Sequence, residues 1–479
     1  MIEDTLFLDP QEAYRTACLR HRVQLTVAVT GLQVCFYLSE RPLPLDPASQ
    51  PENLVHIVPR TLVDFFVETR FRRPTRFEIP AVPGAPKEEL LRSLVEQALL
   101  KRQQAAALVA LGYRQRPAKK RDARLRILAL TSRTTTVLQH TARALIDAFN
   151  RFGHEAHLII ERNDMEEHNA LHLNTALAEF DPHIFVNVNN PNNGFLPPDV
   201  VNVLWWQDPP EALLEKTTLL WRPRDLVYSV VANFKQQIAA TGIAPERIAV
   251  QPFCIDTSCF RVDPGSAPKR RNKVVFVGNS ANPWGPANAG ENALVALLTD
   301  RLEGGLPTTT EEVVVLGAKY GVAPYRAVYS LSYFVLRDLI VRWLCQTAGT
   351  KVEVYGRHWE RDPVVAPFFR GELPHGEAVA AVYRGAKYAL VLHPFSINSQ
   401  RLAEVGACGC IPVVYDCRFQ ADRPFWEEQV IYFRTRQELA AGLRAKRPLA
   451  PDRFSQFFDY REFAKRILED AAPLLPPLQ

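Results

Sequence analysis

The chain has 479 residues, 47% of them hydrophobic and 23% charged, an ordinary globular composition with room for two to four domains. A net charge of +5 is small for this length; it permits an anionic ligand and does not call for nucleic acid. Eight cysteines without a C-x-x-C pair fit neither a zinc site nor a disulfide framework, and read as reduced, mostly buried thiols of a cytoplasmic protein.

The first residues, MIEDTLFLDPQEAYR, carry acids where a signal peptide is basic. No segment reaches the ~20 apolar residues of a spanning helix, and the apolar-rich region 327–345 is broken by Arg337, Asp338 and Arg342. VQLTVAVT (23–30) and QVCFYLS (33–39) look like two strands around a turn at Gly31, followed by a Pro-rich stretch to 86. Residues 87–113 form a long helix, with Leu90, Leu91, Leu94, Ala98 and Leu99 on one stripe. RQRPAKKRDARLR (114–126) holds seven basic residues and one acid, and reads as a solvated linker or a contact for an anionic surface. Residues 1–124 are expected to be an α+β domain that recognises an acceptor or a protein partner.

From 125 the text alternates short apolar strands with helical patterns: LRILALT, EAHLII, HIFVNVN, VVNVLWW, LVYSVV and RIAVQPF. After the linker-like VDPGSAPKRRN (262–272) a second series runs through KVVFVGNS, KVEVYG, YALVLHP, IPVVYD and QVIYF. Near-continuous Val, Ile and Leu followed by helices mean parallel sheets covered on both faces. The expected fold is α/β: two tandem doubly wound, Rossmann-like domains at 125–268 and 269–450, with a last segment at 451–479 packing back on the first. Ligands of such sheets bind beyond the carboxyl ends of the strands, and two facing units form a cleft.

One window bears on chemistry. In NSQRLAEVGACGCIPVVYD (398–416), Asn398 or Ser399 can cap a helix whose N-terminus favours phosphate. Arg401 adds a guanidinium fork, and Glu404, one turn along, can accept from a vicinal diol. Gly406, Ala407 and Gly409 keep the far half of the helix small.

The window resembles the nucleotide-sugar signature of GT-B glycosyltransferases, a Glu followed by A-x-A-x-G-x-P-V-V. IAPERIAVQPFCIDTSCFRVD (243–263) and VFVGN (275–279) are similar to the end of that family's first domain and the opening of its second. WWQDPP (205–210) and the Arg ahead of the Glu resemble the CgeB-type, spore-maturation-like branch. The resemblance implies that Glu404 binds ribose, and that Arg401 with Asn398 and Ser399 binds the pyrophosphate. It implies further that Gly278 and Asn279 face the donor phosphates or the acceptor, and that Tyr355, Gly356 and Arg357 lie near the base. Many retaining members carry a second Glu seven residues earlier; here that position is Ile397.

Such an enzyme moves a sugar from a nucleotide diphosphate sugar, here expected to be UDP-linked, to a protein or glycan hydroxyl. Absence of any D-x-D triplet points to a metal-free route with no cofactor. Candidate catalytic groups are Asp208, at the carboxyl edge after VVNVLWW, and His140, in the first turn of the helix after the first strand, either of which could reach an acceptor as base, and His393, which could bond a donor phosphate or sugar hydroxyl. His358 and His375 read as surface positions, Glu166, Glu167, His168 and His172 as an exposed helix face, and Trp205, Trp206 and Trp221 as core or as sugar-stacking rings. A nucleotide-sugar epimerase and a non-catalytic binding module are the alternatives.

Overall fold

Strands such as IFVNV and VNVLWW have no polar face to offer water, so they need cover on both sides. A computed structural model shows how they get it; it describes residues 3–27, 32–46, 50–80, 86–117, 123–133, 136–208, 219–232, 234–262, 270–347, 351–394, 396–397, 399–417, 427–445, 447 and 449–476. Among these, three sheets form. The first is ordered β3-β2-β1-β4, from β1 (Thr5–Phe7), β2 (Cys35–Leu38), β3 (Leu54–Ile57) and β4 (Arg76–Glu78). The second, ordered β10-β9-β8-β7-β5-β6, contains β5 (Arg126–Leu130), β6 (Glu155–Ile159), β7 (Ile184–Val188), β8 (Val201–Trp206), β9 (Asp225–Ser229) and β10 (Ile248–Val250). The third, ordered β12-β11-β13-β14-β15, contains β11 (Arg271–Val277), β12 (Lys351–Tyr355), β13 (Ala386–Val391), β14 (Ile411–Tyr415) and β15 (Ile431–Phe433). The second and third sheets are the two doubly wound lobes.

The N-terminal part differs from expectation. Residues 23–27 end the Pro10–Val27 helix rather than forming a strand, and the turn placed at Gly31 lies outside the described residues. β2 pairs in parallel with both β1 and β3, and β1 pairs in parallel with β4. Parallel neighbours need a crossover of a dozen or more residues, and Pro10–Val27 is the crossover between β1 and β2. This part is therefore α/β, not α+β. Its Glu88–Arg114 helix buries Leu91, Val95, Ala98, Ala106 and Ala110 but leaves Leu90 54% exposed, so the stripe is rotated from the one expected. Arg102 pairs with Glu167, and the Arg72 guanidinium donates to the Asp164 carbonyl, joining this part to the first lobe. No helix among the described residues is long and apolar enough to cross a membrane.

Two side-by-side segments connect the lobes. The Ile255 N–H donates to the Phe458 carbonyl at 2.7 Å, and Thr257 Oγ1 donates to Asp459 Oδ2 at 2.8 Å. Pro451–Phe458 is a helix in the core of the second lobe, while Tyr460–Ala471 lies on the first. Phe463 packs edge-on against Trp205 at 4.7 Å between ring centres, and the Tyr460 hydroxyl bonds to Thr141. Trp205 and Trp206 are fully buried, so they pack rather than stack on a sugar.

Gly406 is where the returning segment meets the second lobe. A Cβ there would fall inside the ring of Phe454, itself fully buried. Gly406→Ala should lower stability by about 1–3 kcal/mol, the usual cost of overpacking, read as an earlier unfolding midpoint in urea. An unchanged midpoint would mean that the two helices do not meet as described.

Candidate active site between the two lobes

The loops after β11 and β12 are knitted together at the carboxyl edge of the second lobe. The Gly278 N–H donates to the Tyr355 carbonyl at 2.9 Å, and Trp359 Nε1 donates to the Gly278 carbonyl at 2.7 Å. Asn279 Oδ1 accepts from the Arg357 N–H at 2.9 Å. Gly356, at φ 130°, has no room for a Cβ against the Gly278 carbonyl. The five residues Gly278, Asn279, Tyr355, Gly356 and Arg357 thus form one cluster, although the Tyr355 hydroxyl turns away to Glu353 at 3.0 Å.

Above this cluster stands Arg337, from the Ser332–Cys345 helix. Its Nη1 donates to the Asn279 carbonyl at 3.1 Å, and its guanidinium sits 5.7 Å from the Tyr333 ring centre. The adjacent carboxylate is committed elsewhere: Asp338 accepts from Ser280 Oγ at 2.7 Å and the Ala281 N–H at 2.9 Å. Among the described residues no carboxylate pairs with Arg337. Burial lowers its pKa; Tyr333 and Asp338 oppose this, and Arg401 adds to it.

His393 follows the end of β13. Its Nδ1 accepts from the Ser396 N–H at 3.1 Å, so the neutral ring carries its proton on Nε2 and donates to Tyr333 Oη at 2.8 Å. Burial, reinforced by Arg337, takes its pKa down to about 4. Both ring nitrogens are thus engaged within the second lobe.

The Gln400–Ala407 helix is capped by Ser399, whose Oγ accepts from the Leu402 N–H at 3.2 Å; Asn398 lies outside the described residues. Glu404 is 1% exposed. Its Oε2 accepts from Arg401 Nη1 at 3.0 Å and its Oε1 meets His375 Nε2 at 3.1 Å. Arg401 also donates to the Tyr383 hydroxyl at 3.0 Å. Burial opposes the Arg401 charge, yet Tyr383 and Glu404 hold its pKa above the usual arginine value. His375 is exposed, as expected, and its ring also lies 4.6 Å from that of His140, on the first lobe's Thr136–Arg151 helix. Burial, then His375 and Arg143, lower the His140 pKa. A pocket of about 360 Å³ opens beside this contact, between His140 and Arg143, linker residues Asp256 and Phe260, and His375 and Gln400.

Asp208 stands just past the end of β8. Asn189, at φ 59°, clamps it: Oδ1 accepts the N–H groups of Gln207 and Asp208 at 2.6 and 3.0 Å, and Nδ2 donates to Asp208 Oδ2 at 3.0 Å. Asp208 is exposed, yet nearby protein partly desolvates its carboxylate. That desolvation raises its pKa, and the Asn189 bond works against the rise. Its charge in turn raises the pKa of Tyr329 and Tyr333 on the second lobe, after the larger effect of their own burial. The carboxylate of one lobe therefore lies towards Tyr329 and Tyr333 of the other.

Arg337, Tyr333, Asn189 and the His375 contact escape sequence reading. For Arg337 a signal exists, since charges interrupt an otherwise apolar helix; for Asn189 only the run NVNNPNNG hints at a special turn. His168 precedes the Ala170–Phe180 helix instead of lying on it, and its Nε2 meets the Thr131 carbonyl at 2.5 Å. Whether Asp208 caps a helix falls outside the described residues. Among the described residues no three His, Cys, Asp or Glu side chains are grouped to hold a metal.

Residues 337–465 match the family described as glycosyl transferase-like. No curated protein sequence matches the chain. Among solved structures, sucrose-phosphate synthase from Thermosynechococcus elongatus aligns with a TM-score of 0.44 at 13% identity, over 73% of this chain and 99% of that one. A glycosyltransferase from Rickettsia africae gives 0.44 at 10% identity, over 74% and 99%. Anabaena Alr3699/HepE, solved with UDP and glucose, gives 0.43 at 10% identity, over 73% and 100%. From Arg337 through the returning segment, the chain is glycosyl transferase-like in sequence.

Proposed function

We propose that the protein is a glycosyltransferase that moves a sugar from a nucleoside diphosphate sugar, UDP-linked, to an acceptor hydroxyl without a metal. The observation that carries this reading is the half-buried Arg337, with no carboxylate partner among the described residues, held over the Gly278–Asn279 loop at the carboxyl edge of the second lobe's sheet. The family match over residues 337–465 supports the same assignment. The donor diphosphate lies against Arg337 and the exposed part of Arg401, beside the first turn of the Gln400–Ala407 helix, where N–H groups and a partial positive charge gather. Gly278 and Asn279 set the floor, and the loop of Tyr355, Gly356 and Arg357 borders the base. Glu404 faces the ribose side and fixes Arg401 and His375.

The reaction is one displacement. The acceptor oxygen bonds to the sugar's anomeric carbon as its proton passes to Asp208. The bond from that carbon to the diphosphate oxygen breaks, and the electron pair leaves with the diphosphate, whose charge the two guanidinium groups stabilise.

Arg337→Ala should weaken binding of the UDP-sugar roughly tenfold to a hundredfold, since bonds to a charged group contribute ~1.5–3 kcal/mol; titration calorimetry reads it, and wild-type affinity would remove Arg337 from the site. Arg401→Ala is a poorer probe, because it strips a buried carboxylate of a partner and threatens the fold. As the base, Asp208 must be ionised, so activity rises with pH through a pKa above the ordinary carboxylate range. Asn189 favours the ionised form, so Asn189→Ala should move that acidic limb to still higher pH. An acidic limb unmoved in Asn189→Ala would exclude Asp208 as the base. EDTA should leave turnover unchanged; restoration only by added manganese would refute the metal-free route.

A further inference from the structure

Three aromatic side chains on the second lobe have no part in the donor site. Trp284 lies in the short turn after β11, at the carboxyl edge where ligands meet such a sheet, and is 49% exposed. Tyr325 is 47% exposed, and its ring lies 5.1 Å from that of Tyr329. Tyr329 sits within a single π turn, Ala327–Leu331, a widening of the helix that recurs at functional sites. One side chain holds these pieces together. Arg326 donates to the Trp284 and Gly285 carbonyls at 3.1 and 2.7 Å, and to Glu291 Oε1 and Oε2 at 3.1 and 2.8 Å. The turn carrying Trp284 is thereby stapled to the residue next to Tyr325 before any ligand arrives.

The direction of the group matters. Tyr329 is close enough to Asp208 for that carboxylate to perturb its hydroxyl, so Tyr329 is the ring of the pair on the side of the candidate base. A pyranose presents a flat C–H face and a hydroxyl edge, which suit an aromatic face and a phenol. Arg326 is already committed to Glu291 and two carbonyls, so the platform offers no spare charge to an anionic ligand.

We propose that Trp284, Tyr325 and Tyr329 form a saccharide platform that receives a neutral glycan acceptor on the second lobe and delivers its hydroxyl to Asp208. This deepens the glycosyltransferase reading and rests on it for the word acceptor. A peptide acceptor would instead need hydrogen bonds along an extended backbone, for which the rings supply little.

The full-length protein is titrated with maltotetraose, cellotetraose and chitotetraose, and with a Ser/Thr-rich peptide, following tryptophan fluorescence. At least one oligosaccharide should bind saturably. Trp284→Ala and Tyr325→Ala should each weaken it by about tenfold, the order of one aromatic contact, and Trp284→Phe should recover most of the loss. All three variants should keep the rise in melting temperature that UDP gives the wild type. Binding of none of the oligosaccharides, binding of the peptide alone, or wild-type affinity in both alanine variants overturns the platform. If UDP has no effect on melting while an oligosaccharide still binds through Trp284, the donor reading fails and the platform stands. If UDP stabilises the protein and the alanine variants bind oligosaccharide normally, only the platform fails.

Discussion

A carboxylate taken out of water must find partners within the protein, and Glu404 finds two from distant parts of the second lobe. Arg401, one helical turn away, supplies one; His375, ahead of the Glu377–Arg384 helix, supplies the other. Removing either partner of a buried pair is costly because the remaining charge stays buried. The requirement fixes the rotation of the Gln400–Ala407 helix and the position of the loop beyond it. It also fixes His375 where the His140 ring of the first lobe can rest on it. The contact between lobes is thus anchored, through one imidazole, to the charge that orients Arg401.

The path of the chain explains why this contact is possible. The linker and the returning segment cross side by side, and Ile255 bridges to Asp459 as neighbouring strands would. Two helices then part company: Pro451–Phe458 enters the core of the second lobe beneath Gly406, and Tyr460–Ala471 covers the sheet of the first. The lobes are therefore joined by two parallel segments near the Glu404 helix.

Much of this architecture is legible in the amino-acid order. The two doubly wound units are announced by strands too apolar to have an outer face, and the Ser399 cap and the small residues of 406–409 by side-chain size and hydrogen-bonding type. The N-terminal part is harder. VQLTVAVT alternates like a strand, but its neighbour pairs in parallel, and the need for a crossover decides in favour of helix for residues 23–27. The same limit applies to the site. Arg401 and Glu404 lie three residues apart and announce each other, whereas Arg337 meets Asn279 across 58 residues and Asn189 meets Asp208 across 19. Nothing local marks His375 as different from His358; only the tertiary fold brings it to Glu404.

Asp208 of the first lobe and Arg337 of the second share one physical condition. Burial raises the pKa of Asp208 and lowers that of Arg337, so each is held in a protein environment that disfavours its ion. Each makes its hydrogen bonds within its own lobe. The first lobe keeps its carboxylate with Asn189, and the second keeps its guanidinium with the Asn279 carbonyl. Such separation has a stability cost, of the kind proteins accept where function needs it. What would relieve the strain is a ligand placed between them that is anionic towards the second lobe and a hydroxyl donor towards the first. A diphosphate leaving group and an acceptor alcohol, as in the proposed transfer, would meet those two demands at once.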